Sequence, residues 1–387
     1  MKNRIYMMSL AVLAMVSCVN DDIVQINNGM EISFRSALDT RATELTESNL
    51  SNFYVTALTT DSGAANYFTD VQFSKETGSS SMVFTSEDKY YWPASGELDF
   101  YAYYPEASIM GAEITITPNA KVLSGYAPNT KVDQQIDIVY AHTRASKANN
   151  ASSVPLEFEH ALSQVGIVAK NTNEAYDIKI KAIRLKNVAG KGDFYLGTGS
   201  WITDGTSVSY EITRTDAETA VTLGAELVSL MSEAGNAMLI PQKTIAWAPE
   251  DEQGVVEDDD LIENQSEGEG EGEGEENEDE NNPETDPNGS YIAFLIQVNA
   301  ADGMRIFPTE ENVEYAWVAK SLAFNWVAGY KYIYTCDFSK GVGVAAPDNT
   351  EIGGVNTPTG EEIFGSKIAV DVMWNSWNDN FYPDVTM

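Results

Sequence analysis

Cysteine is scarce in this chain. Only Cys18 and Cys336 occur among its 387 residues, so the fold must rest on a hydrophobic core rather than on disulfides. Positive charge is scarce as well, because 23 Lys and Arg stand against 59 Asp and Glu and give a net charge of -36. Such a chain lacks the basic surface that the phosphate backbone demands, which argues against nucleic acid as a partner.

Histidine is also rare, and no motif of catalysis or metal binding accompanies it. His142 and His160 are the only histidines, and neither belongs to a metal-ligand spacing. The sequence has no nucleophile elbow, phosphate-binding loop or dinucleotide fingerprint. His160 shares a face of a predicted strand with Leu156 and Phe158, so we interpret it as a buried, hydrogen-bonded side chain. We therefore expect no enzyme activity, no cofactor and no metal.

Long hydrophobic runs are missing beyond the N-terminus. Residues 5–17 form an apolar run that follows Lys2 and Arg4 and is too short to cross a bilayer, which is typical of an export signal. The small residue directly before Cys18 resembles the lipobox of bacterial lipoproteins, in which the cysteine is acylated and becomes the mature N-terminus. We expect residues 1–18 to be a lipoprotein signal peptide. An ordinary cleaved signal with an incidental cysteine is the alternative.

Short alternating segments dominate the rest of the chain. Residues of high turn preference separate them, and helical windows are few, with one possible helix at residues 224–234. This pattern predicts an all-β fold of the sandwich or barrel type. The length suggests at least two domains, and the small polar stretch 147–153 predicts a boundary near residue 150.

One stretch cannot form a core. Between Glu250 and Asp286 there are nineteen acidic residues and no Lys or Arg, so the rest of the chain carries a net charge of about -17. Repeated glycine and unscreened like charge predict a disordered acidic loop over residues 250–288. The run of three aspartates at 258–260 lacks the spacing of an EF-hand, and we expect no dedicated metal site there.

Aromatic residues concentrate at 90–92 and 98–104. A cluster of this density could stack sugars, but aromatic side chains also favour strands and dominate sandwich cores. We interpret the cluster as core.

The two ends of the chain each carry an alternating strand. Near the N-terminus Ile32 and Phe34 alternate with polar residues, and an arginine at position 41 follows before the main body. Near the C-terminus four apolar side chains project to one face, and such a face needs a groove to fill in its own domain or in another molecule. These four are Ile368, Val370, Val372 and Trp374.

Together, several segments resemble the fimbrillins, the type V pilus subunits of Bacteroidota. The resemblance covers nearly the whole chain except the acidic stretch. It rests on the lipobox, Thr40-Arg41-Ala42, Tyr91-Trp92-Pro93 with residues 98–102, residues 156–163, Leu239-Ile240-Pro241-Gln242 and residues 326–334.

The resemblance implies a lipoprotein precursor with two transthyretin-like β-sandwich domains, here residues 42–150 and 151–387. In that family an arginine-specific protease of the outer membrane removes an N-terminal leader, here residues 19–41, and a strand of the next subunit enters the vacated groove. Arg41 is then the cleaved residue and Ala42 the new N-terminus.

The same resemblance assigns roles to the two end strands. Ile32 and Phe34 belong to the removable strand, and Ile368, Val370, Val372 and Trp374 belong to the donor strand. Arg35 competes with Arg41 as the cleavage site, and an ordinary loop arginine is the rival interpretation of Arg41.

We expect a structural fimbrial subunit at the outer membrane and cell surface, lipid-anchored as a precursor and polymerised with other fimbrial subunits by donor-strand exchange. A precursor should keep an open sheet edge covered until assembly. An added strand supplies main-chain hydrogen bonds and fills pockets with alternate side chains, and head-to-tail contacts that do not close give filaments. The alternative is a non-polymerising surface lipoprotein or adhesin that binds host ligands or glycans through the aromatic cluster and the acidic loop.

Overall fold

The computed structural model describes residues 29–37, 50–75, 83–150, 152–213, 220–231, 235–248, 285–365 and 367–377. Strands account for most of this part of the chain, and the two α-helices in it have one turn each. The predicted all-β class is confirmed. Cys18, Arg41, Ala42 and residues 250–284 of the predicted acidic loop lie outside the described residues.

The first half of the described chain contains ten strands, the short helix α1 (Ala107–Met110) and a 3-10 turn (Val132–Gln134). The strands are β1 (Phe34–Ala37), β2 (Asn52–Thr59), β3 (Asn66–Lys75), β4 (Val83–Thr85), β5 (Leu98–Tyr104), β6 (Glu113–Ile116), β7 (Lys121–Tyr126), β8 (Val139–Ala145), β9 (Val154–Glu157) and β10 (Glu159–His160).

Eight of these strands form one sheet in the order β10-β8-β5-β2-β3-β4-β1-β9. Neighbours in the sheet are antiparallel except β1 and β9, which are parallel. The two end strands, β9 and β10, follow each other directly in the chain with only Phe158 between them. The sheet therefore curves until its two ends lie side by side, and it encloses its own core.

That first core is rich in phenylalanine. The alternation of each strand turns one set of side chains inward, and the inward set is almost entirely apolar. Its buried members include Ile32, Phe34, Leu50, Phe53, Phe73, Phe84, Trp92, Leu98, Phe100, Val154 and Leu156.

The second half of the described chain contains sixteen strands and the short helix α2 (Asn349–Ile352). The strands are β11 (Ser163–Lys170), β12 (Tyr176–Ala189), β13 (Gly192–Tyr195), β14 (Ser200–Thr203), β15 (Ser207–Thr213), β16 (Val221–Thr222), β17 (Val228–Ser229), β18 (Ala237–Leu239), β19 (Ala246–Trp247), β20 (Thr285–Asp286), β21 (Tyr291–Ala300), β22 (Arg305–Phe307), β23 (Ala316–Ser321), β24 (Tyr330–Asp337), β25 (Val344–Ala345) and β26 (Ala369–Ser376).

Two sheets pack face to face in this half. One has the order β17-β11-β24-β26, with β18 also paired to β11, and the other has the order β15-β12-β21-β23-β25. A mainly aliphatic core, the second core, lies between them. The predicted helix at residues 224–234 is wrong, because β17 pairs with β11 and its Val228 packs against this core.

A third sheet joins the two halves of the chain. Its order is β14-β13-β7-β6, so strands from the first half pair with strands from the second. The predicted division at residue 150 stays a prediction, although β9 and β10 lie beyond it and belong to the first sheet. The predicted acidic loop over residues 250–288 also stays a prediction. Near its C-terminal end β20 pairs with β19, and the Asn288 N–H donates to Asp286.

Candidate functional site

The segment that contains Ile32 is held by main-chain hydrogen bonds on both sides. On one side the Ile32 N–H donates to the Tyr90 carbonyl oxygen at 2.7 Å, and β1 continues antiparallel to β4. On the other side the Val154 N–H donates to the Ser33 carbonyl oxygen at 2.8 Å, and β1 runs parallel to β9. β1 is therefore an interior strand of the first sheet.

Phe34 is fully buried among other phenylalanines. Its ring meets those of Phe73, Phe100 and Phe53 edge-on, at centroid separations of 4.7, 5.1 and 6.1 Å. Ile32 is equally buried, two residues earlier on the same face. Loss of this strand would leave a cavity in the first core, and truncating a single buried phenylalanine to alanine costs roughly 3–5 kcal/mol.

The charged residues of the same segment reach the surface. Glu31 pairs with Lys89 at 2.9 Å, and this hydrogen bond raises the pKa of Lys89. The Arg35 side chain is exposed, but its main chain lies opposite Val83 of β4 and Pro155 of β9. Proteolytic cleavage favours exposed, unpaired segments, so Arg35 is poorly placed for cleavage in the folded chain.

The C-terminal strand β26 is placed differently. It pairs antiparallel with β24 over eight residues and stands at the edge of its sheet. Val370 and Val372 are half-buried against the second core, and Trp374 is 63 % exposed. The apolar face of this strand is therefore only partly covered in its own domain.

The apolar face of β26 forms part of an open groove with a volume of about 510 Å³. Further lining comes from β24 and from the connection between β23 and β24. The groove is lined by Leu322, Ala323, Asn325, Val327, Tyr330, Tyr332, Tyr334, Val370, Val372 and Trp374.

Both ends of β26 are anchored by buried side chains. Ile368 precedes the strand and lies in the second core. Trp377 follows it, and its ring stacks on His160 at a centroid distance of 4.2 Å. The main-chain N–H of Trp377 donates to the Gly329 carbonyl oxygen at 2.8 Å. The interpretation of His160 as a buried, hydrogen-bonded residue is confirmed, because it is 3 % exposed and its Nδ1 hydrogen-bonds Asp137 Oδ1 at 3.1 Å.

The second half of the described chain also contains an ion cluster that no sequence pattern indicated. Arg184 of β12 binds both Asp348 and Glu351 at 2.8 Å, and Lys186 lies 3.0 Å from Asp348. The Tyr291 hydroxyl donates to the same fully buried carboxylate at 2.7 Å. Burial alone raises the pKa of Asp348, but the hydrogen bonds from Arg184, Tyr291 and Lys186 outweigh it and lower the pKa. These partners lie far apart in sequence, so no local spacing could reveal them.

Most of the aromatic cluster is buried, as interpreted, whereas Tyr90, Tyr91 and Tyr104 are half-buried. Trp92, Phe100, Tyr101 and Tyr103 are all less than 7 % exposed, so they offer no platform on which a sugar could stack. Cys336 is also fully buried, and burial raises the pKa of its thiol to about 12.

The described residues contain no group of three or more His, Cys, Asp or Glu side chains that could hold a metal ion. Of the helices in these same ranges, none has the length and the apolar character needed to cross a bilayer.

Comparisons with solved structures give several similar chains. A proposed cell adhesion protein from Bacteroides ovatus is 15 % identical, with 90 % of this chain and 97 % of that chain covered and a TM-score of 0.44. One from Bacteroides uniformis is 12 % identical, with 90 % and 100 % covered and a TM-score of 0.43. One from Parabacteroides distasonis is 8 % identical, with 92 % and 98 % covered and a TM-score of 0.46.

Among curated protein sequences, none matches this chain. A family model described as fimbrillin-like matches residues 40–356, which is most of the chain and includes strands of all the larger sheets. This family is structural rather than catalytic, and membership supports a fimbrial or adhesive role at the cell surface together with other fimbrial subunits. The chain belongs to the fimbrillin-like family.

Proposed function

We propose that this protein is a structural fimbrial subunit that is exported as a lipoprotein precursor and polymerises by donor-strand exchange. Cleavage after Arg41 removes β1, and a strand from a second subunit takes its place in the first sheet. The protein acts as a building block and not as an enzyme. Acylation at Cys18 holds the precursor at the outer membrane until cleavage releases it.

The burial of β1 between β4 and β9 carries this proposal. Ile32, just before β1, and Phe34 of β1 belong to the first core, and both lie N-terminal to the proposed cleavage site. Its loss exposes two strand edges and an apolar cleft at once. Such edges bind any extended chain with suitable side chains, so the trimmed subunit gains a strong preference for a substitute strand.

The position of the two arginines favours Arg41 over Arg35. Cleavage at Arg35 requires a main chain that is paired with both β4 and β9. Cleavage at Arg41 falls after the end of β1 at residue 37 and releases the whole strand. Arg41 is therefore the site that gives an empty groove without prior unfolding of the sheet.

The C-terminal strand would be more fully paired and buried in the place of β1 than in its own subunit. In its own subunit β26 pairs with β24 at the edge of a sheet, and Trp374 remains largely exposed. In the place of β1 the same strand would have neighbours on both edges and an enclosed apolar face. Full burial of a large apolar side chain contributes about 1.5–3 kcal/mol to stability. Burial of the β26 side chains in the new site can therefore offset the free-energy cost of separating β26 from β24.

The rival function, a monomeric surface lipoprotein that binds glycans through its aromatic cluster, finds little support in that cluster. Trp92 and Phe100 are buried in the first core, and Tyr101 and Tyr103 are buried in a neighbouring apolar cluster. The polymerisation experiment separates the two proposals. Purified precursor is treated with an arginine-specific protease, and the products are run in SDS without boiling. We expect a ladder of SDS-resistant oligomers, whereas a persistent cleaved monomer would reject polymerisation.

Two matched variants locate the parts of the reaction. Arg41→Ala should block the ladder while Arg35→Ala should leave it intact, since only the first position is proposed to be cut. Deletion of residues 368–387 should give cleavage without a ladder. A ladder from the deletion variant would show that another segment is the donor.

A further inference from the structure

The first and last strands of the described chain share one sequence pattern. Residues 30–36 read Met-Glu-Ile-Ser-Phe-Arg-Ser, and residues 370–376 read Val-Asp-Val-Met-Trp-Asn-Ser. In both segments the first, third and fifth positions are apolar, the second is acidic, the fifth is a large aromatic and the seventh is serine. The match runs in the same chain direction in both.

The pockets around β1 make this pattern specific. The third position, Ile32, and the fifth, Phe34, are fully buried, and the phenyl site is walled by three other phenylalanine rings. The seventh position, Ser36, is 5 % exposed, and its hydroxyl has no hydrogen-bond partner among the described residues. The site therefore accepts a medium, a large and a small side chain in that order.

Other alignments of β26 in this site fail on size or polarity. Shifting the strand by two residues places either Ser376 in the phenyl pocket or Trp374 at the small serine site. Reversing its direction with Trp374 kept in the phenyl pocket places Ser376 in the fully buried site of Ile32. An undersized side chain in such a site leaves a cavity, and a polar one leaves an unpaired polar atom. Both make the inserted strand less stable.

We infer that the donor strand enters in the same direction as β1, with Val372 in the place of Ile32, Trp374 in the place of Phe34 and Ser376 in the place of Ser36. This rests on the proposed strand exchange and specifies its register. Asp371 then replaces Glu31 beside Lys89, which pairs with Glu31 in the precursor. The size order of these three sites lets a subunit select strands of its own kind.

The register can be tested inside the full-length precursor, where no exchange is needed. The double variant Ile32→Val with Phe34→Trp reproduces the donor at the two buried sites. Its matched control, Ile32→Trp with Phe34→Val, has the same composition with the positions exchanged. We expect the first variant to unfold within about 5 °C of the natural chain and the control to unfold at least 5 °C below it, since about 1 kcal/mol shifts the midpoint by roughly 2–4 °C in domains of this size.

Cross-linking tests the register in the polymer. In the precursor Arg35 lies opposite Val83 of β4, so the inferred register brings Asn375 of one subunit opposite Val83 of the next. In a Cys336→Ser background, protease-treated Val83→Cys, Asn375→Cys protein should form disulfide-linked ladders on oxidation. The matched pair Val83→Cys, Met373→Cys should do so far less, by at least about tenfold, because a displacement of two residues moves the thiol about 6.5 Å along the strand.

The outcomes separate this inference from the proposed function. If oligomers form but the Met373 pair links better than the Asn375 pair, or if both precursor variants lose equal stability, the register is wrong and exchange stands. If no oligomer forms with any variant, strand exchange itself fails and the register falls with it.

Discussion

The strands β1 and β26 carry the same alternation but are covered to very different extents. β1 has a neighbour on each edge, and its Phe34 and the preceding Ile32 are fully buried. β26 stands at the edge of its sheet, and its largest side chain, Trp374, is 63 % exposed. The position of a strand in the sheet, and not its composition, therefore decides how much free energy it contributes. A strand held at an edge is also the one that can leave at the lower cost.

The largest expected effect separates the two strands directly. Phe34→Ala should lower the free energy of unfolding of the first sheet and its core by about 4 kcal/mol, because it leaves a cavity among phenylalanine rings. Urea unfolding of the precursor, followed by fluorescence, measures the loss. A loss below about 1 kcal/mol would contradict the burial of β1.

A second large effect is expected at the anchor of β26. Trp377→Ala removes the ring stacked on His160 and should cost about 3 kcal/mol. Because the contact lies at the end of the strand, the loss should appear as faster hydrogen exchange in residues 369–376. The matched control Trp92→Ala removes another buried tryptophan, which lies in the first core, and should leave the exchange of those residues unchanged.

A smaller loss of stability is expected when the ion cluster around Asp348 is disrupted. The pKa of Asp348 is lowered in the folded protein, so its contribution is complete above the unfolded pKa of about 3.9 and is lost as the pH falls through the folded pKa. Asp348→Asn should therefore cost about 2 kcal/mol at pH 7. The deficit should shrink at pH 3 in urea unfolding, and equal deficits at both pH values would contradict the cluster.

The exposed ring of β26 should matter least for stability. Trp374→Ala removes a side chain that is mostly in water, so its cost to the precursor should stay below about 1 kcal/mol. The same variant should nevertheless weaken the polymer strongly, since the ring is inferred to fill the site of Phe34. Unfolding of the precursor and the oligomer ladder are measured on one preparation, and a stable ladder would count against the inferred register.

The thiol of Cys336 reports whether β26 is in place. Cys336 belongs to β24 and lies opposite Val370 of β26. Burial raises the pKa of its thiol to about 12, which keeps the thiol protonated and unreactive at neutral pH. In a Cys18→Ala precursor, labelling by a thiol reagent should be undetectable over an hour. It should become measurable when residues 368–387 are deleted, whereas rapid labelling of the intact precursor would show that β26 is already displaced.

Several features of the fold follow from local patterns. The alternation around Ile32 and Phe34, around residues 98–104 and around residues 368–374 predicts strands with one buried face, and those faces are buried or line a groove. His160 follows the same rule. Periodicity is reliable here because a strand repeats every two residues whatever its partner.

Other features needed the tertiary structure. The pattern at residues 224–234 is compatible with a helix, but Val228 is drawn into the second core as part of β17. The pairing of β7 with β13 joins residues about seventy positions apart, and the cluster around Asp348 joins residues more than a hundred and fifty apart. Contacts over such separations leave no periodic trace.

The sequence alone therefore determines that this is an all-β chain with an apolar strand at each end of its body, because alternation is a local property. Only the tertiary structure decides that the first of these strands lies between β4 and β9 while the last stands at an edge. That difference comes from which distant strands supply hydrogen-bonding partners, and the partners are chosen by the packing of the whole core.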